Sequence, residues 1–468
     1  MVMTTDDHRT DGLDLFFNPK SVAIIGASET VRFGYATTKY LLNSKFKTFP
    51  VNLNKKTVFD HKTYKNVNDI PEPIELAIIL VGNEYVLQVI KDCIKKGVKG
   101  IILETAGFAE TGIKRFVDYQ QEIKEIAKKA NVRIIGPNCI GVSDFYTEFT
   151  SGDVDFTKMR KGNISVIAQS GVLGNIFIDW ASAGQNMGIS KAITLGNKID
   201  VNEIDMLQYL DKDPTTKVIT LYLEGVNEGA EFIKTLKNMT KPIIVLKNGR
   251  TDWGLKAIQS HTGSLAGNDK IFDAVVNQHP CIFRVNNFYE MFNVAQIFAR
   301  QPLPNGNNVA VITGSGSLGS LACDEIKRLG LNLAKLDENT IKIMQEVSPE
   351  WVSLKNPVDL GPSMASTLIP SQKAVFKDSN VNCVLFIFSV PRWPFEKFWL
   401  SITPWIRQFK KLSEKFRKPC AIVVYGSRWM YDFVLKSCIK FNIPVMDRIS
   451  HALMAFRMMY DYNFSLQS

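Results

Sequence analysis

Short, unbroken apolar runs alternate with longer amphipathic segments along almost the whole chain. Ser21-Val22-Ala23-Ile24-Ile25-Gly26 reads as a strand ending in glycine, Gly34 to Leu42 as a helix, and Phe49 to Leu53 as a second strand. Leu76 to Val81, Gly100 to Leu103 and Arg133 to Gly136 follow as strands, with helices over Glu84 to Lys96 and Gln120 to Ala130. These strands are apolar at every position rather than at alternate ones, so both faces are covered. Strands of that kind, separated by helical segments of roughly 10–15 residues, form right-handed βαβ units around a parallel sheet.

The pattern restarts twice. Ile164 to Ala168, Ser190 to Leu195, Val218 to Leu223 and Pro242 to Leu246 read as strands, with a helix over Gly171 to Gly184. Beyond the Pro/Asn/Gly-rich linker Gln301 to Asn308, Val309 to Thr313 is again a strand. A glycine loop, the helix Leu318 to Leu329 and the strands Cys383 to Ser389 and Cys420 to Tyr425 follow. The expected architecture is α/β, with three consecutive Rossmann-like or flavodoxin-like doubly wound domains and mainly parallel sheets. The domains are expected over residues 1–160, 161–303 and 304–468, close to the roughly 150 residues typical of one domain.

Composition narrows the function class. The apolar runs, Val384 to Val390 among the longest, are too short to span a bilayer, and aspartates precede the first of them, unlike a secretory leader. A cytoplasmic protein with no membrane partner is expected. The seven cysteines (93, 139, 281, 323, 383, 420, 438) include no C-x-x-C pair, which fits reduced thiols and gives no metal site. The net charge of +10 favours anionic ligands. The lysines are dispersed and no nucleic-acid-binding motif is present, so phosphate-bearing small molecules are the expected partners.

In doubly wound sheets ligands bind beyond the carboxyl ends of the strands. Five such places carry suggestive residues. Gly26-Ala27-Ser28 follows the first strand and fits a phosphate turn as well as a plain strand-to-helix turn. Gly136-Pro137-Asn138-Cys139-Ile140-Gly141 presents an amide side chain, and its cysteine lacks the neighbouring base that reactivity needs. Gln169-Ser170-Gly171 puts a hydroxyl at a helix start, as an oxyanion site or an ordinary cap. Glu224 ends a buried strand, where a carboxylate either orients an imidazole or is merely solvated. Lys247 to Asp269 leaves a strand through Asn248-Gly249-Arg250 and reaches Ser260-His261-Thr262-Gly263-Ser264-Leu265-Ala266-Gly267. There His261, flanked by hydroxyls and glycines, is expected on an exposable loop as a base, ligand or nucleophile.

Taken in order, these motifs resemble the alpha subunit of ADP-forming acyl-CoA (acetyl-CoA) synthetases, in the succinyl-CoA synthetase superfamily. Phe17 to Ser28, Lys95 to Gly100, Gly136 to Cys139, Gln169 to Gly171, Leu195 to Lys198, Tyr222 to Val226, Lys247 to Thr251 and Ser260 to Gly267 carry the likeness almost end to end. The resemblance implies that acyl-CoA and phosphate give an acyl phosphate, that His261 takes the phosphoryl group, and that ADP receives it. Glu224 is then expected to orient His261, and Ser170 and Gly171 to hold the phosphoryl group. CoA is expected on Gly26, Ala27, Ser28, Lys55, Val81 and Asn138.

The chain departs from the family's pattern at Leu53-Asn54, where a Pro-Lys pair is usual, and at Gly82, where a proline is usual. It departs again at Thr313-Gly314-Ser315-Gly316-Ser317-Leu318-Gly319, in place of Asn-Ala-Gly-Gly-Pro-Gly. If that last loop touches the acyl group, the acid is more polar than acetate. No segment resembles the ATP-grasp portion that binds ATP or ADP with Mg2+. The resemblance therefore implies a separate ATP-grasp beta subunit in an α2β2 assembly. Two rivals remain at this stage, a CoA-binding regulatory protein without turnover and a nicotinamide-dependent dehydrogenase. The aromatic stretch Phe386 to Trp399 is expected in the core or at a subunit interface.

Overall fold

The computed structural model describes residues 9–467 except 186, 263–267 and 399; the side chains at 172, 173, 183, 184 and 259–262 also lie outside the description. The chain divides into two compact units, one ending at Asn286 and the other beginning at Asn287.

The first unit holds two sheets. The first is built from β1 (Val22–Ile25), β2 (Thr48–Val51), β5 (Leu76–Ile79), β6 (Gly100–Leu103) and β7 (Arg133–Ile135), with a small hairpin of β3 (Thr57–Val58) and β4 (His61–Lys62) outside it. Its order is β2-β1-β5-β6-β7 and every pairing is parallel. Ile24, Ile78, Ile102 and Ile135 are fully buried on one side, and Ala23, Ala77, Ile101 and Ile134 on the other. Burial on both faces is why these strands read as continuous apolar runs.

The second sheet combines β8 (Val142–Asp144), β9 (Phe149–Thr150), β10 (Lys161–Ala168), β11 (Ile189–Thr194), β12 (Val218–Leu223), β13 (Ile243–Lys247) and β14 (Ile282–Arg284). Its order is β14-β13-β12-β10-β11-β8-β9. β8 and β9 form an antiparallel edge, so a piece of this sheet comes from residues preceding position 160. Neither strand shows as an apolar run, because each is short and β8 carries Ser143 and Asp144. The expected helix from Gly171 is α-helical to Ile178 and continues as a wider π-helical turn, Asp179–Gly184.

His261 departs from expectation. Its backbone belongs to the last turn of a helix, Asp252–Thr262, rather than to a loop, while 263–267 lie outside the described residues. Asp252 stands at the helix start and Leu255 and Ile258 share its inner face, a spacing that outweighs the small residues further on.

The second unit has one sheet, β16-β15-β18-β19-β20 with β17 also paired to β15. The strands are β15 (Asn308–Thr313), β16 (Asn332–Leu333), β17 (Val358–Asp359), β18 (Cys383–Phe388), β19 (Cys420–Val424) and β20 (Val445–Met446), all parallel. The helix Phe288–Arg300 belongs to this unit. Its apolar face, Met291, Phe292, Ala295 and Ile297, is buried, and Asn293 Nδ2 lies 2.9 Å from His451 Nδ1 on the C-terminal helix. The aromatic stretch divides. Phe386, Phe388 and Phe395 are core residues, whereas Trp393 and Phe398 form an exposed pair 5.4 Å apart. No described helix is long and apolar enough to cross a membrane.

Candidate active site

The carboxyl ends of the first unit's two sheets meet around Gly136–Gly141, the segment that carries the chain from β7 to β8. It is fastened to the second sheet by its backbone. Asn197 N donates to Pro137 O at 2.9 Å, Ile199 N to Gly136 O at 3.2 Å, and Thr194 Oγ1 to Gly141 O at 2.8 Å. Asn138 is thereby delivered to the start of the helix that follows β10.

A cavity of about 580 Å³ occupies this junction. Val81, Gly82, Glu104, Thr105 and Asn138 line it from the first sheet, and Gln169, Ser170, Gly171, Asn197 and Glu224 from the second. Five residues expected in three roles, Val81 and Asn138 for CoA, Ser170 and Gly171 for the phosphoryl group, and Glu224 beside His261, thus line one space. Ser170 has extended backbone (φ −90°, ψ 127°) and its side chain makes no capping hydrogen bond. Its hydroxyl is therefore not used as an ordinary cap, and the first-turn amides of the helix have no intrahelical partners. Gly171 is required by contact. A Cβ there would lie 2.9 Å from Ile140 Cγ1 and 3.2 Å from Ile140 N.

Glu224 is 6% exposed, and its position is set by its backbone. The Gln169 carboxamide oxygen accepts the amides of Glu224 (2.9 Å) and Gly225 (3.2 Å). Lys198 Nζ reinforces the arrangement through Gly225 O at 2.8 Å and the Glu203 carboxylate at 2.9 Å. Tyr222 Oη reaches Glu224 Oε1 at 3.4 Å and receives Asn248 Nδ2 at 2.7 Å, so the Asn248-Gly249 motif bears on Glu224 through the phenol. The helix ending at Thr262 lies beside the Ala109–Thr111 turn. Glu110 of that turn accepts from Asn197 Nδ2 at 2.6 Å, so the helix packs beside a turn that is hydrogen-bonded to a residue of the cavity lining. The imidazole itself is outside the described side chains.

Sequence reasoning missed Glu104. It ends β6 as Glu224 ends β12, and the run Gly100 to Leu103 followed by a carboxylate was the available signal. Burial pushes its carboxyl well above the usual carboxylate range, a hydrogen bond with Ser151 opposes this, and the Asp153 charge adds to the rise. Burial thus favours its protonated form, and its Oε1 has no hydrogen-bond partner among the described residues. Cys139 is buried against Leu103 O (Sγ···O 3.5 Å) with its thiol pushed up by desolvation, which fits a structural residue.

A second cavity, about 640 Å³, lies along the end of the first sheet. It shares Leu80, Val81 and Gly82 with the first and reaches Gly26, Asn52 and Tyr85. Gly26 takes φ +96°, and a Cβ would meet Leu80 C and O at 3.0 Å, so only glycine allows this turn. Ala27 and Ser28 are buried beside it, with Ser28 Oγ accepting from Thr30 N at 3.1 Å. Lys55 is not among the lining residues; its ammonium pairs with Glu29 at 2.8 Å.

The fold and this pair of joined cavities define a class, a CoA-binding domain followed by a ligase-type flavodoxin domain. Residues 20–144 match the CoA binding domain family, and residues 161–298 match the succinyl-CoA ligase like flavodoxin domain family. The chain belongs to the family of ADP-forming acetate–CoA ligases. It is 39% identical over 384 residues to the alpha subunit of acetate–CoA ligase (ADP-forming) II of Pyrococcus furiosus, covering 81% of this chain and 83% of that one. It is 38% identical to 4-hydroxybutyrate–CoA ligase (ADP-forming) of Nitrosopumilus maritimus over 73% of its length, and spans 50% of that longer protein. In three dimensions it is similar to the dinucleotide forming acetyl-coenzyme A synthetase 1 of Ca. Korarchaeum cryptofilum, solved with phosphate and ADP. The TM-score is 0.88 and the identity 28%, over 97% of both chains.

Proposed function

We propose that the chain is the alpha subunit of an NDP-forming acyl-CoA synthetase, interconverting acyl-CoA, ADP and phosphate with a carboxylic acid, CoA and ATP. The observation that carries this reading is the single cavity shared by Val81 and Asn138 of the CoA-binding sheet and Ser170, Gly171 and Glu224 of the ligase-type sheet. CoA lies along Gly26, Ala27 and Ser28, past Lys55, with its thiol end at Val81 and Asn138. Phosphate oxygen attacks the thioester carbonyl, the C–S bond breaks, and acyl phosphate and CoA thiol result. A His261 nitrogen then attacks phosphorus, the carboxylate leaves, and the phosphohistidine passes its phosphoryl group to ADP.

The residues of the chain supply the electrostatics. The amides at Gly171 and the Ser170 hydroxyl oppose phosphoryl charge, and Glu224 orients His261 and balances the charge it acquires. The cavity lining contains two carboxyl groups, Glu104 and Glu224, and no lysine, arginine or histidine among the described residues. Beside these two carboxyl groups, acetate or a small hydroxylated monocarboxylic acid fits better than a diacid. An ATP-grasp beta subunit, in an α2β2 assembly, supplies the ADP and Mg2+ site, and the reaction takes place in the cytoplasm.

The test is ATP formation from acetyl-CoA or 4-hydroxybutyryl-CoA with ADP and phosphate, with and without an ATP-grasp subunit. ATP appears only with both chains present. Synthesis by this chain alone, or none with any subunit and thioester, would overturn the proposal.

A further inference from the structure

The cavity above Gly26 carries two positive charges that the fold does not use. Arg32, in the turn that leads into the helix Tyr35–Leu42, and Lys65, just past the β3–β4 hairpin, both line it. Both side chains are exposed, and neither has an ion-pair partner among the described residues. Lys55, the cation that the resemblance placed on CoA, is paired with Glu29. Asp92, the single carboxylate in the lining among the described residues, accepts Asn66 Nδ2 at 2.6 Å and Gln88 Nε2 at 3.0 Å. Two cations therefore stand against one carboxylate whose oxygens are already hydrogen-bonded.

The same walls show a second kind of unused surface. Leu53 and Tyr85 line the cavity while remaining 70% and 58% exposed. Apolar surface of that sort suits the flat faces of a purine, and the Gly26 turn suits a diphosphate approaching backbone amides. Neither feature accounts for Arg32 and Lys65. A dianionic phosphate monoester elsewhere on the same ligand does, because it matches two cations in charge and accepts from both.

We propose that Arg32 and Lys65 bind the 3′-phosphate at the nucleotide end of CoA, and so select CoA over adenine nucleotides that lack this group. The inference rests on the CoA reading above and adds to it the residues that read the phosphate. Both cations are solvent-exposed, so their effect weakens as salt is raised.

The experiment is calorimetric titration of the purified chain with CoA and with 3′-dephospho-CoA, at low and high salt. It is run for the wild-type protein, Arg32→Ala, Lys65→Ala and the double variant, with thermal melts alongside. The wild-type protein should bind CoA about tenfold or more tightly than dephospho-CoA, a preference that shrinks with salt. In the double variant CoA affinity should fall by that factor, with dephospho-CoA affinity held within about twofold. Equal wild-type affinity for both ligands would overturn the inference and leave the CoA reading standing. So would an equal loss of both ligands in the variants, which marks a merely structural role. A wild-type protein that binds neither ligand overturns both.

Discussion

The carboxamide oxygen of Gln169 accepts the backbone amide of Glu224 at 2.9 Å, tying the end of β10 to the end of β12. It also takes the amide of Gly225 at 3.2 Å, so one side chain fixes the strand tip that carries the site's second carboxylate. Gln169→Leu keeps the volume and removes the acceptor, leaving two buried amides unpaired at about 1–3 kcal/mol each. The melting temperature should drop by several degrees and phosphoryl labelling by about tenfold or more, with CoA affinity within about twofold. Melts, labelling and calorimetry on one preparation check this. Lost CoA binding with intact labelling would reverse the assignment.

Behind Gln169 lies a buried ion pair, Lys198 with Glu203 at 2.9 Å, whose side chains are 3% and 2% exposed. Removing one partner strands the other charge, so Lys198→Met should destabilise the first unit by about 3–5 kcal/mol. The double variant Lys198→Met/Glu203→Leu should recover most of that, because neither charge is then left unpaired. Urea unfolding of the three proteins measures the difference. Additive losses would show that the pair is not what the burial implies.

Gly171→Ala tests the helix start. In a helix interior alanine is favoured over glycine by about 1 kcal/mol, so propensity alone predicts a small gain. The 2.9 Å approach to Ile140 Cγ1 predicts instead that the helix start shifts away from the segment bearing Asn138. Phosphate-dependent labelling should fall by about tenfold or more, with CoA binding changed by less than about threefold. Unchanged labelling would remove Gly171 from the phosphoryl site.

Glu104 predicts a pH dependence. Its folded-state pKa is raised by burial, so the folded chain holds a proton that the unfolded chain releases. The stability contribution is complete below the ordinary carboxylate range, about 4.3, and is lost as pH rises toward and through the raised value. Wild-type melting temperature should therefore fall, relative to Glu104→Gln, as pH rises above the ordinary carboxylate range. Parallel profiles for the two proteins would place the charge on Glu104 in the folded state as well.

Most of the fold was legible because the parallel strands are buried on both faces. Gly100 to Leu103 and Val218 to Leu223 were read with the bounds the structure shows, and most other strands within one or two residues. What escaped lacks that signal. β8 and β9 are short edge strands with Ser143, Asp144 and Thr150, and their pairing is antiparallel. The helix through His261 was hidden because its last residues are hydroxyl-bearing and lead directly into glycine. The convergence of Asn138 with Ser170 and Glu224 needed the crossing at Gly136–Gly141, a tertiary relationship between segments far apart in the chain. Glu104 offered the same strand-end carboxylate as Glu224, and only its burial against the cavity sets it apart from a solvated side chain.

The measurement that bears most directly on the account is phosphoryl labelling of the purified chain. Radiolabelled inorganic phosphate is supplied with acetyl-CoA, 4-hydroxybutyryl-CoA and other acyl-CoAs, with His261→Ala in parallel. The account predicts an acid-labile, base-stable label that appears with a monocarboxylic thioester and is absent from the variant. A label that persists in His261→Ala, or no label with any thioester when the ATP-grasp subunit is also present, would contradict it.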